Sequence, residues 1–244
     1  MSQGVLIAEE QTVLQTAKPA LVGTLSDVSV KRTATKLSKV AYKITKRTFD
    51  IFVSLIGCLL TPPLAIFVKL AYVLTGDFGS IFFVQKRIGK NGREFNFYKF
   101  RTMVSDADLK LVELLEQEPY KSEWQKYRKL KNDPRISKIG HTLRRTSLDE
   151  FPQFLNVLKG DMSIVGNRPY LPREREDIAD HVYENLITVK PGITGYWQVS
   201  GRSNVKFDDR VQLENYYAQN ATLGFDTAIF FKTFKSVLTR KGAD

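Results

Sequence analysis

The sequence has few of the side chains that form covalent cross-links and metal clusters. Its single cysteine, Cys58, excludes an internal disulfide and gives no sign of an oxidising compartment. The two histidines, His141 and His181, are 40 residues apart, and no Cys/His cluster occurs. These absences argue against a structural zinc site.

Acidic residues are also under-represented. The chain has 37 Lys and Arg against 26 Asp and Glu, which leaves a formal charge of +11. Such a balance favours anionic partners, whether nucleic acid, anionic lipid or a phosphorylated substrate. A secretory signal is missing as well, because Glu9 and Glu10 stand where a basic segment would begin. Residues 1–38 are predicted to form a mobile leader without a role in the chemistry.

One long apolar run stands out. Residues 51–75 carry a single charge, Lys69, and a run of that length is a candidate for a membrane-spanning helix. Pro62 and Pro63 interrupt it, and two adjacent prolines are expected to bend or break a helix. Each half would then be roughly 15–18 Å long, too short to cross alone.

Basic residues flank this run on both sides. Seven lie between Asp27 and Asp50, and six follow the run between residues 86 and 101. Because cytoplasmic flanks carry the excess of Lys and Arg, both ends are predicted to lie on the same side of the membrane. A re-entrant helical hairpin in one leaflet agrees with the prolines and the charges, and a single spanning helix is the alternative.

The rest of the chain reads as a soluble domain. Lys90-Asn91-Gly92 predicts a β-hairpin turn between strands at 81–88 and 94–101. A helix is expected to begin near Ser105 and to bury three apolar side chains, Leu109, Val112 and Leu115. The C-terminal segment has the spacing of a basic amphipathic helix, with its apolar face directed either at the core or at a membrane surface. Its apolar positions are Phe230, Phe231, Phe234, Val237 and Leu238.

The densest polar cluster runs from Arg144 to Gln153. Ser147 and Glu150 have the spacing of a helix capping box, which is the simple structural interpretation. Carboxylates at Asp149 and Glu150 beside two arginines would equally suit a magnesium and phosphate site.

Three other groups of residues are weaker signals on their own. Arg168 lies in a tight loop that could hold a phosphate, and Lys99 and Arg101 could do the same or form the polar side of a strand. Lys46, Arg47 and Asp50 could contact lipid headgroups or form a local ion pair.

The order of these motifs resembles the bacterial sugar transferase family, the monotopic phosphoglycosyl transferases of glycan assembly, over about residues 43–238. The resemblance rests on motifs that are specific in combination: Lys46-Arg47-x-x-Asp50, a Pro-broken apolar segment, Arg87-x-Gly89, Tyr98 to Met103, Asn132 to Arg135, Arg144 to Gln153, Asn156 to Ser163 and Lys190 to Gly195. The usual Gly-Pro-Arg-Pro appears as Gly166-Asn167-Arg168-Pro169, so the rigidity of that loop is in question.

The resemblance implies a mixed α/β, mostly helical fold, with a membrane hairpin packed on a small catalytic domain that contains a β-hairpin. Predicted boundaries are a leader at 1–38, the membrane segment at 39–78 and the catalytic domain at 79–244. Asp149 is implied as the nucleophile and a Mg²⁺ ligand, and Glu150 as a second catalytic acid. Arg144, Arg168, Lys99 and Arg101 are the implied phosphate-binding residues. Lys46, Arg47, Asp50, Pro62 and Pro63 are the implied lipid or membrane residues.

The implied reaction moves a hexose-1-phosphate, galactose or glucose, from a UDP-sugar to a polyprenyl phosphate and releases UMP. The reaction would take place on the cytoplasmic face of a bacterial inner membrane, among phospholipids. Whether the protein forms a homo-oligomer is left open. An amino-sugar-1-phosphate transferase and a non-catalytic adaptor of polysaccharide assembly are the alternatives. Nucleic acid is not an expected partner, because no nucleic-acid-binding motif is found.

Overall fold

The computed structural model describes residues 36–200 and 205–239. The chain divides into two compact units, Met1–Ala41 and Tyr42–Asp244. The predicted leader lies almost wholly outside the described residues, which begin at Lys36. The predicted boundaries at 38 and 78 therefore stay predictions.

The fold is mixed α/β and mostly helical, as predicted, with one long apolar N-terminal helix and two small sheets. Its helices are α1 Lys36–Leu74, α2 Ala107–Leu115, α3 Tyr120–Tyr127, α4 Lys138–Arg145, α5 Gln153–Lys159, α6 Asp180–Leu186, α7 Tyr196–Ser200, α8 Phe207–Asn220 and α9 Leu223–Thr239. The strands are β1 Phe82–Ile88, β2 Glu94–Phe100, β3 Ser163–Val165 and β4 Gly192–Thr194.

Helix α1 differs from the expected pair of short helices. It continues through Pro62 and Pro63, which are both exposed. The Thr61 hydroxyl donates to the Gly57 carbonyl at 2.8 Å, just before the turn that the prolines weaken. Apolar membrane helices tolerate proline where packing and Ser/Thr side chains compensate for lost backbone bonds. Buried positions of α1 lie on both sides of the prolines, at Gly57 and at Val68.

One face of α1 packs against the rest of the unit. Its buried positions, spaced three or four residues apart in each half of the helix, are Asp50, Ser54, Gly57, Val68 and Tyr72. At the middle, the Gly57 backbone lies against the Phe154 ring. Farther along, Val68 and Tyr72 join a small core with Ile81, Phe100 and Leu143.

The opposite face of α1 is apolar and exposed. It carries Phe52, Leu55, Leu59, Ile66, Phe67, Leu70 and Leu74. Residues 39–74 are long and apolar enough to cross a membrane by length and composition. This exposed face indicates membrane association, because a monomeric soluble domain rarely exposes an apolar surface of that extent.

Lys46, near the start of α1, is held by the protein itself. Its ammonium lies 2.6 Å from Asp226 of α9 and donates to the Val165 carbonyl at 2.8 Å. The Tyr42 and Tyr217 hydroxyls donate to the same Asp226 carboxylate, at 2.8 and 2.6 Å. Lys46 therefore fixes α1 to α9 and β3, which differs from the predicted headgroup contact.

Arg47 and Asp50 have structural partners too. Arg47 donates to the Val157 and Leu158 carbonyls at 2.7 and 2.9 Å, in the last turn of α5. Asp50 accepts from the Ser163 hydroxyl and the Ile164 amide, at 3.0 and 2.9 Å. Burial raises the pKa of Asp50, against the effect of these hydrogen bonds. Among the described residues no ion pair joins Asp50 to Lys46 or Arg47, so the predicted local pair is wrong.

The predicted β-hairpin is confirmed. Strands β1 and β2 pair antiparallel, with Phe82 opposite Phe100 and Ile88 opposite Glu94. Asn91 and Gly92 form the turn with φ values of 58° and 75°, the positive range for which these residue types are suited. Phe95 and Phe97 are buried on one face of β2, as their spacing predicts.

A second, parallel sheet of two short strands was not predicted. β3 pairs with β4, so that Ser163 lies opposite Gly192 and Val165 opposite Thr194. The two chains continue so close together that a Cβ on Gly166 would come within 2.2 Å of the Lys190 carbonyl oxygen. The main core lies on this sheet and includes Val157, Met162, Ile164, Tyr217 and Ile229.

Two helices differ in part from their predicted faces. In α2, Leu109 and Val112 are 71% and 62% exposed, and Leu111 is the buried residue, so that predicted stripe is wrong. When a nine-residue helix has apolar side chains on several faces, its sequence does not indicate which face packs against the core. In α9, Phe230 packs edge-on against Phe49 of α1, whereas Phe231 and Phe234 are exposed.

Replacing Gly57 should weaken the docking of α1. A Cβ there would lie 2.2 Å from the Phe154 ring, so Gly57→Ala should lower the unfolding free energy by about 2 kcal/mol. Thermal unfolding in detergent should show a Tm lower by roughly 4–8 °C. Gly224→Ala is the matched control, since nothing lies within 4 Å of its Cβ and alanine suits the first turn of α9. Equal melting of both variants would contradict this packing.

Candidate active site

Asp149 and Glu150 lie in a single 3₁₀ turn, Leu148–Glu150, between α4 and α5. Asp149 is 5% exposed. Ser147, just before the turn, has φ 57° and its side chain makes no capping hydrogen bond, so the capping-box interpretation is wrong. Pro152 instead occupies the N-cap position of α5. The turn therefore holds two adjacent carboxylates that are not used to cap a helix.

The ammonium of Lys99 forms ion pairs with both carboxylates. It lies 3.1 Å from Asp149 Oδ2 and 3.4 Å from Glu150 Oε1. Burial raises the pKa of Glu150, and the Asp149 charge adds to this, whereas Lys99 opposes both. Burial alone would lower the pKa of Lys99, but the two carboxylates outweigh it and leave that pKa above its usual value. One cation thus stabilises two anions.

Asn156 fixes the strand that carries Lys99. This fully buried side chain, one turn into α5, accepts from the Tyr98 amide at 3.1 Å and donates to the Asn96 carbonyl at 2.6 Å. A carboxamide that meets both backbone groups of one strand sets its register against α5. Because α5 directly follows the carboxylate turn, this contact determines where Lys99 lies relative to Asp149.

Two of the predicted arginines lie by the carboxylates. Arg144, at the end of α4, donates through Nε to the Thr102 hydroxyl at 2.9 Å. Burial lowers the pKa of Arg144, and the charge of Asp149 is the largest opposing effect. Arg168 is close enough for its charge to lower the pKa of Glu150. Lys99 therefore contacts the carboxylate pair directly, and the charges of Arg144 and Arg168, from two other segments, interact with it.

Arg101 lies elsewhere. Its guanidinium is 2.8 Å from Asp77 Oδ2, donates to the Ser105 hydroxyl at 3.1 Å, and stacks 4.8 Å above the Tyr72 ring. The Tyr72 hydroxyl in turn donates to the Arg101 carbonyl at 2.6 Å. Arg101 thus ties the end of α1 to the loop after β2 and has no ion pair with the two carboxylates in the part of the chain that the structure describes. Its role in phosphate binding stays a prediction.

The substituted loop at 166–169 has compensating contacts. Asn167, which replaces the usual proline, is buried and donates through Nδ2 to the Leu186 carbonyl at 3.2 Å. Its own carbonyl accepts from the Gly192 amide at 2.8 Å, and its backbone pairs with Pro191. Hydrogen bonds to neighbouring segments therefore hold the loop that carries Arg168.

A buried charge network behind Arg168 escaped sequence reasoning. Glu174 lies 3.9 Å from both Arg87 and Arg168, and the Arg168 amide donates to Glu214 Oε1 at 3.1 Å. The one signal available was the i,i+4 spacing of Arg210 and Glu214 on α8. Nothing in the sequence indicates that these side chains are buried.

The carboxylate pair suits a magnesium ion that is shared with a substrate. Within residues 36–200 and 205–239, no group of three or more His, Cys, Asp or Glu side chains could hold a metal alone. Mg²⁺ commonly takes one or two carboxylates and completes its shell with waters and substrate phosphates. Asp149 and Glu150 could supply those carboxylates.

Comparison with known proteins agrees with this arrangement. The sequence pattern of the family described as "Bacterial sugar transferase" matches residues 41–240, which contain every element of the site. The chain belongs to the bacterial sugar transferase family.

Several relatives have informative names. The chain is 46% identical over 218 residues to "Undecaprenyl-phosphate galactose phosphotransferase" of Salmonella typhimurium, covering 89% of this chain and 45% of that protein. It is 41% identical over 201 residues to "Exopolysaccharide production protein ExoY" of Sinorhizobium fredii, covering 82% of this chain and 88% of that protein. A third relative is 33% identical, "UDP-N-acetylgalactosamine-undecaprenyl-phosphate N-acetylgalactosaminephosphotransferase" of Aeromonas hydrophila, covering 83% of this chain and 45% of that protein. The chain thus spans less than half the length of two of these relatives.

Removal of the shared cation Lys99 should destabilise the protein in a pH-dependent way. Lys99→Met leaves two carboxylates without their ammonium, so we expect the unfolding free energy to fall by about 2 kcal/mol at pH 8. The folded-state pKa of Glu150 should then rise further above its unfolded value. Because the folded variant binds the extra proton, its stability should recover as the pH falls through that raised pKa. Lys99→Arg keeps the charge and is the control for thermal unfolding at pH 5 and pH 8. A pH-independent loss in Lys99→Met would contradict this account.

Proposed function

We propose that this protein transfers a sugar-1-phosphate from a UDP-sugar to undecaprenyl phosphate and thereby initiates exopolysaccharide assembly. The observation that carries the proposal is the buried Asp149, which contacts Lys99 and lies beside Glu150 and Arg144. The names of the Salmonella and Sinorhizobium relatives support the reaction class. A non-catalytic adaptor of polysaccharide assembly would have no need of two carboxylates held against one lysine.

In the first step, an Asp149 carboxylate oxygen bonds to the β-phosphorus of the donor. The bond from that phosphorus to the bridging oxygen breaks, and UMP leaves with the electron pair. Repulsion opposes this attack, since two like charges 4 Å apart cost about 4 kcal/mol at an effective dielectric near 20. Lys99, Arg144 and Arg168 provide positive charge against that repulsion.

In the second step, a phosphate oxygen of the lipid acceptor attacks the same phosphorus and releases Asp149. The product is a sugar joined to the lipid through a diphosphate. Glu150 accepts the proton of the lipid phosphate when it arrives protonated. The raised pKa of Glu150 suits this work, because a general base is most effective with a pKa near the working pH.

A magnesium ion is part of the proposal. Asp149 would hold it, with Glu150 as the neighbouring carboxylate, and the ion would neutralise charge on the donor diphosphate.

The membrane segment is proposed to enter and leave the cytoplasmic leaflet of a bacterial inner membrane. Contacts of α1 at Lys46 and at Tyr72 are both made with the same compact unit, and Phe154 meets the middle of the helix. A helix that contacts a polar domain near its start, at its middle and near its end does not cross a bilayer by itself. Its exposed apolar face would contact phospholipids, and a lipid-bound acceptor could then reach Asp149.

Galactose-1-phosphate is the group that we propose for transfer. The Salmonella relative and the "UDP-galactose-lipid carrier transferase" of Erwinia amylovora, 43% identical over 219 residues and covering 89% of this chain and 45% of that protein, both name galactose. Glucose-1-phosphate was the equal expectation from sequence. The Aeromonas relative keeps an N-acetylated donor as the second candidate.

The topology has a direct labelling test. With Cys58 replaced by serine, single cysteines at Val40 and Lys90 should both resist an impermeant thiol reagent added outside intact cells. Both should react after permeabilisation, because the two ends of the segment face the cytoplasm. Reaction of one position alone in intact cells would instead indicate a helix that spans the membrane.

The reaction can be tested with purified full-length protein, Mg²⁺ and a panel of UDP-sugars. Wild type should release UMP and, with donor alone, gain one hexose phosphate by intact-protein mass spectrometry. Asp149→Asn should form no adduct, because the amide keeps the shape but loses the charge and most of the nucleophilicity. Glu150→Gln should form the adduct and transfer it slowly to lipid. An active, folded Asp149→Asn variant would refute the mechanism, and turnover limited to N-acetylated donors would refute galactose.

A further inference from the structure

The loop that carries Arg168 rests on a buried carboxylic acid. Glu214, on the inner face of α8, is 1% exposed, and its Oε1 accepts the Arg168 amide at 3.1 Å. Its Oε2 is buried without a well-directed partner among the described residues. The Tyr170 hydroxyl, also buried without a well-directed partner, is its neighbour from the same loop.

The charged and titratable groups that act on Glu214 come from its own helix and from the loop after β3. From its own helix comes Arg210, which is buried between the Trp197 and Phe207 rings at 5.6 and 4.9 Å. From the loop after β3 come Arg168 and Tyr170. Beyond Arg168 lie Glu174 of the 3₁₀ helix Pro172–Arg175 and Arg87 of β1. Glu214 is therefore an acid among arginines, and its charge changes the balance of the whole group.

We propose that Glu214 is a positioning residue: it holds the Arg168 loop through the backbone and, by gaining or losing a proton, sets how far the Arg168 charge is available to an anionic donor. The inference rests on the proposed function, in which Arg168 faces a diphosphate, and adds a pH response to that site. When Glu214 is neutral, the positive charge of Arg168 is available to the donor. The ionised acid adds a competing negative charge beside it.

The direction of the response follows from burial. Burial raises the pKa of Glu214 to about 7, against the opposing effects of the Tyr170 hydroxyl, Arg210 and Arg168. Below that pH the acid is neutral, and above it the carboxylate attracts the neighbouring guanidinium groups. Donor affinity should therefore fall as the pH rises through neutrality. The donor itself adds no such change, because a diphosphate esterified at both ends has no proton to lose near neutral pH.

The test uses full-length protein in nanodiscs and three variants. Glu214→Gln keeps an acceptor for the Arg168 amide but cannot ionise, whereas Glu214→Ala removes the acceptor. Glu184→Gln is the matched control, since Glu184 is an exposed glutamate on α6 outside the network.

The first readout is hydrogen exchange at the Arg168 amide, corrected for the intrinsic effect of pH. An ionised acceptor makes a stronger hydrogen bond than a neutral one, so wild-type protection should increase about threefold from pH 6 to pH 8. Glu214→Gln should show no such change, and Glu214→Ala should exchange about tenfold faster at both values. The same pH dependence in wild type and Glu214→Gln would overturn the proposal even if the alanine variant does not fold.

The second readout is the donor concentration that half-saturates adduct formation without lipid. It should rise about fivefold between pH 6.5 and pH 8 in wild type and in Glu184→Gln, and less than twofold in Glu214→Gln. The maximal rate should have the same pH dependence in all three, since Glu214 does not touch the reacting atoms. Equal profiles of the half-saturating concentration would overturn the regulatory role while leaving the transferase activity intact. If no UDP-sugar forms an adduct with wild type, the proposed function fails, and the exchange measurement decides the positioning role alone.

Discussion

The two hydrogen bonds of the buried Asn156 carboxamide hold the site together. They join α5 to the backbone of β2 at Asn96 and Tyr98, and so bring a strand and a turn that are 50 residues apart into one register. Lys99, next along β2, thereby reaches Asp149 and Glu150. A slip of one residue would turn Lys99 to the other face of the strand, because side chains alternate along it. Two buried charges would then be without their cation.

The same α5 segment connects the chemistry to the membrane. Its last carbonyls accept from Arg47, and its Phe154 packs on Gly57, so α1 and the carboxylate turn are fixed to one short helix. Polar contacts hold the inner face of α1, whereas the outer face exposes only apolar side chains over several turns. The depth of the carboxylates relative to a lipid surface is therefore set by rigid packing.

Sequence reasoning identified what depends on local rules and on ordered motifs. The hairpin at Asn91-Gly92, the buried face of Phe95 and Phe97, and the apolar length of α1 follow from turn chemistry and periodicity. Asp149, Glu150, Lys99 and Arg144 were predicted together from the family motifs, and the structure places Lys99 against both carboxylates. The contact of Arg101 with Asp77 was not predicted, since it depends on where the end of α1 lies, and spacing along a strand does not contain that information.

The residues that escaped prediction are those whose environment is made by distant segments. Lys46, Arg47 and Asp50 read as headgroup ligands because basic residues before an apolar run usually are; here β3, α5 and α9 meet them instead. Glu214 looks like one more polar position on a helix, yet it is 1% exposed and accepts a hydrogen bond from the loop after β3. Burial favours the neutral form of this acid, whereas the neighbouring arginines favour the charged form. The protonation state of Glu214 therefore depends on the pH. This protonation state acts on Arg168 and not on Asp149. The buried network therefore controls the affinity for the donor and not the covalent step.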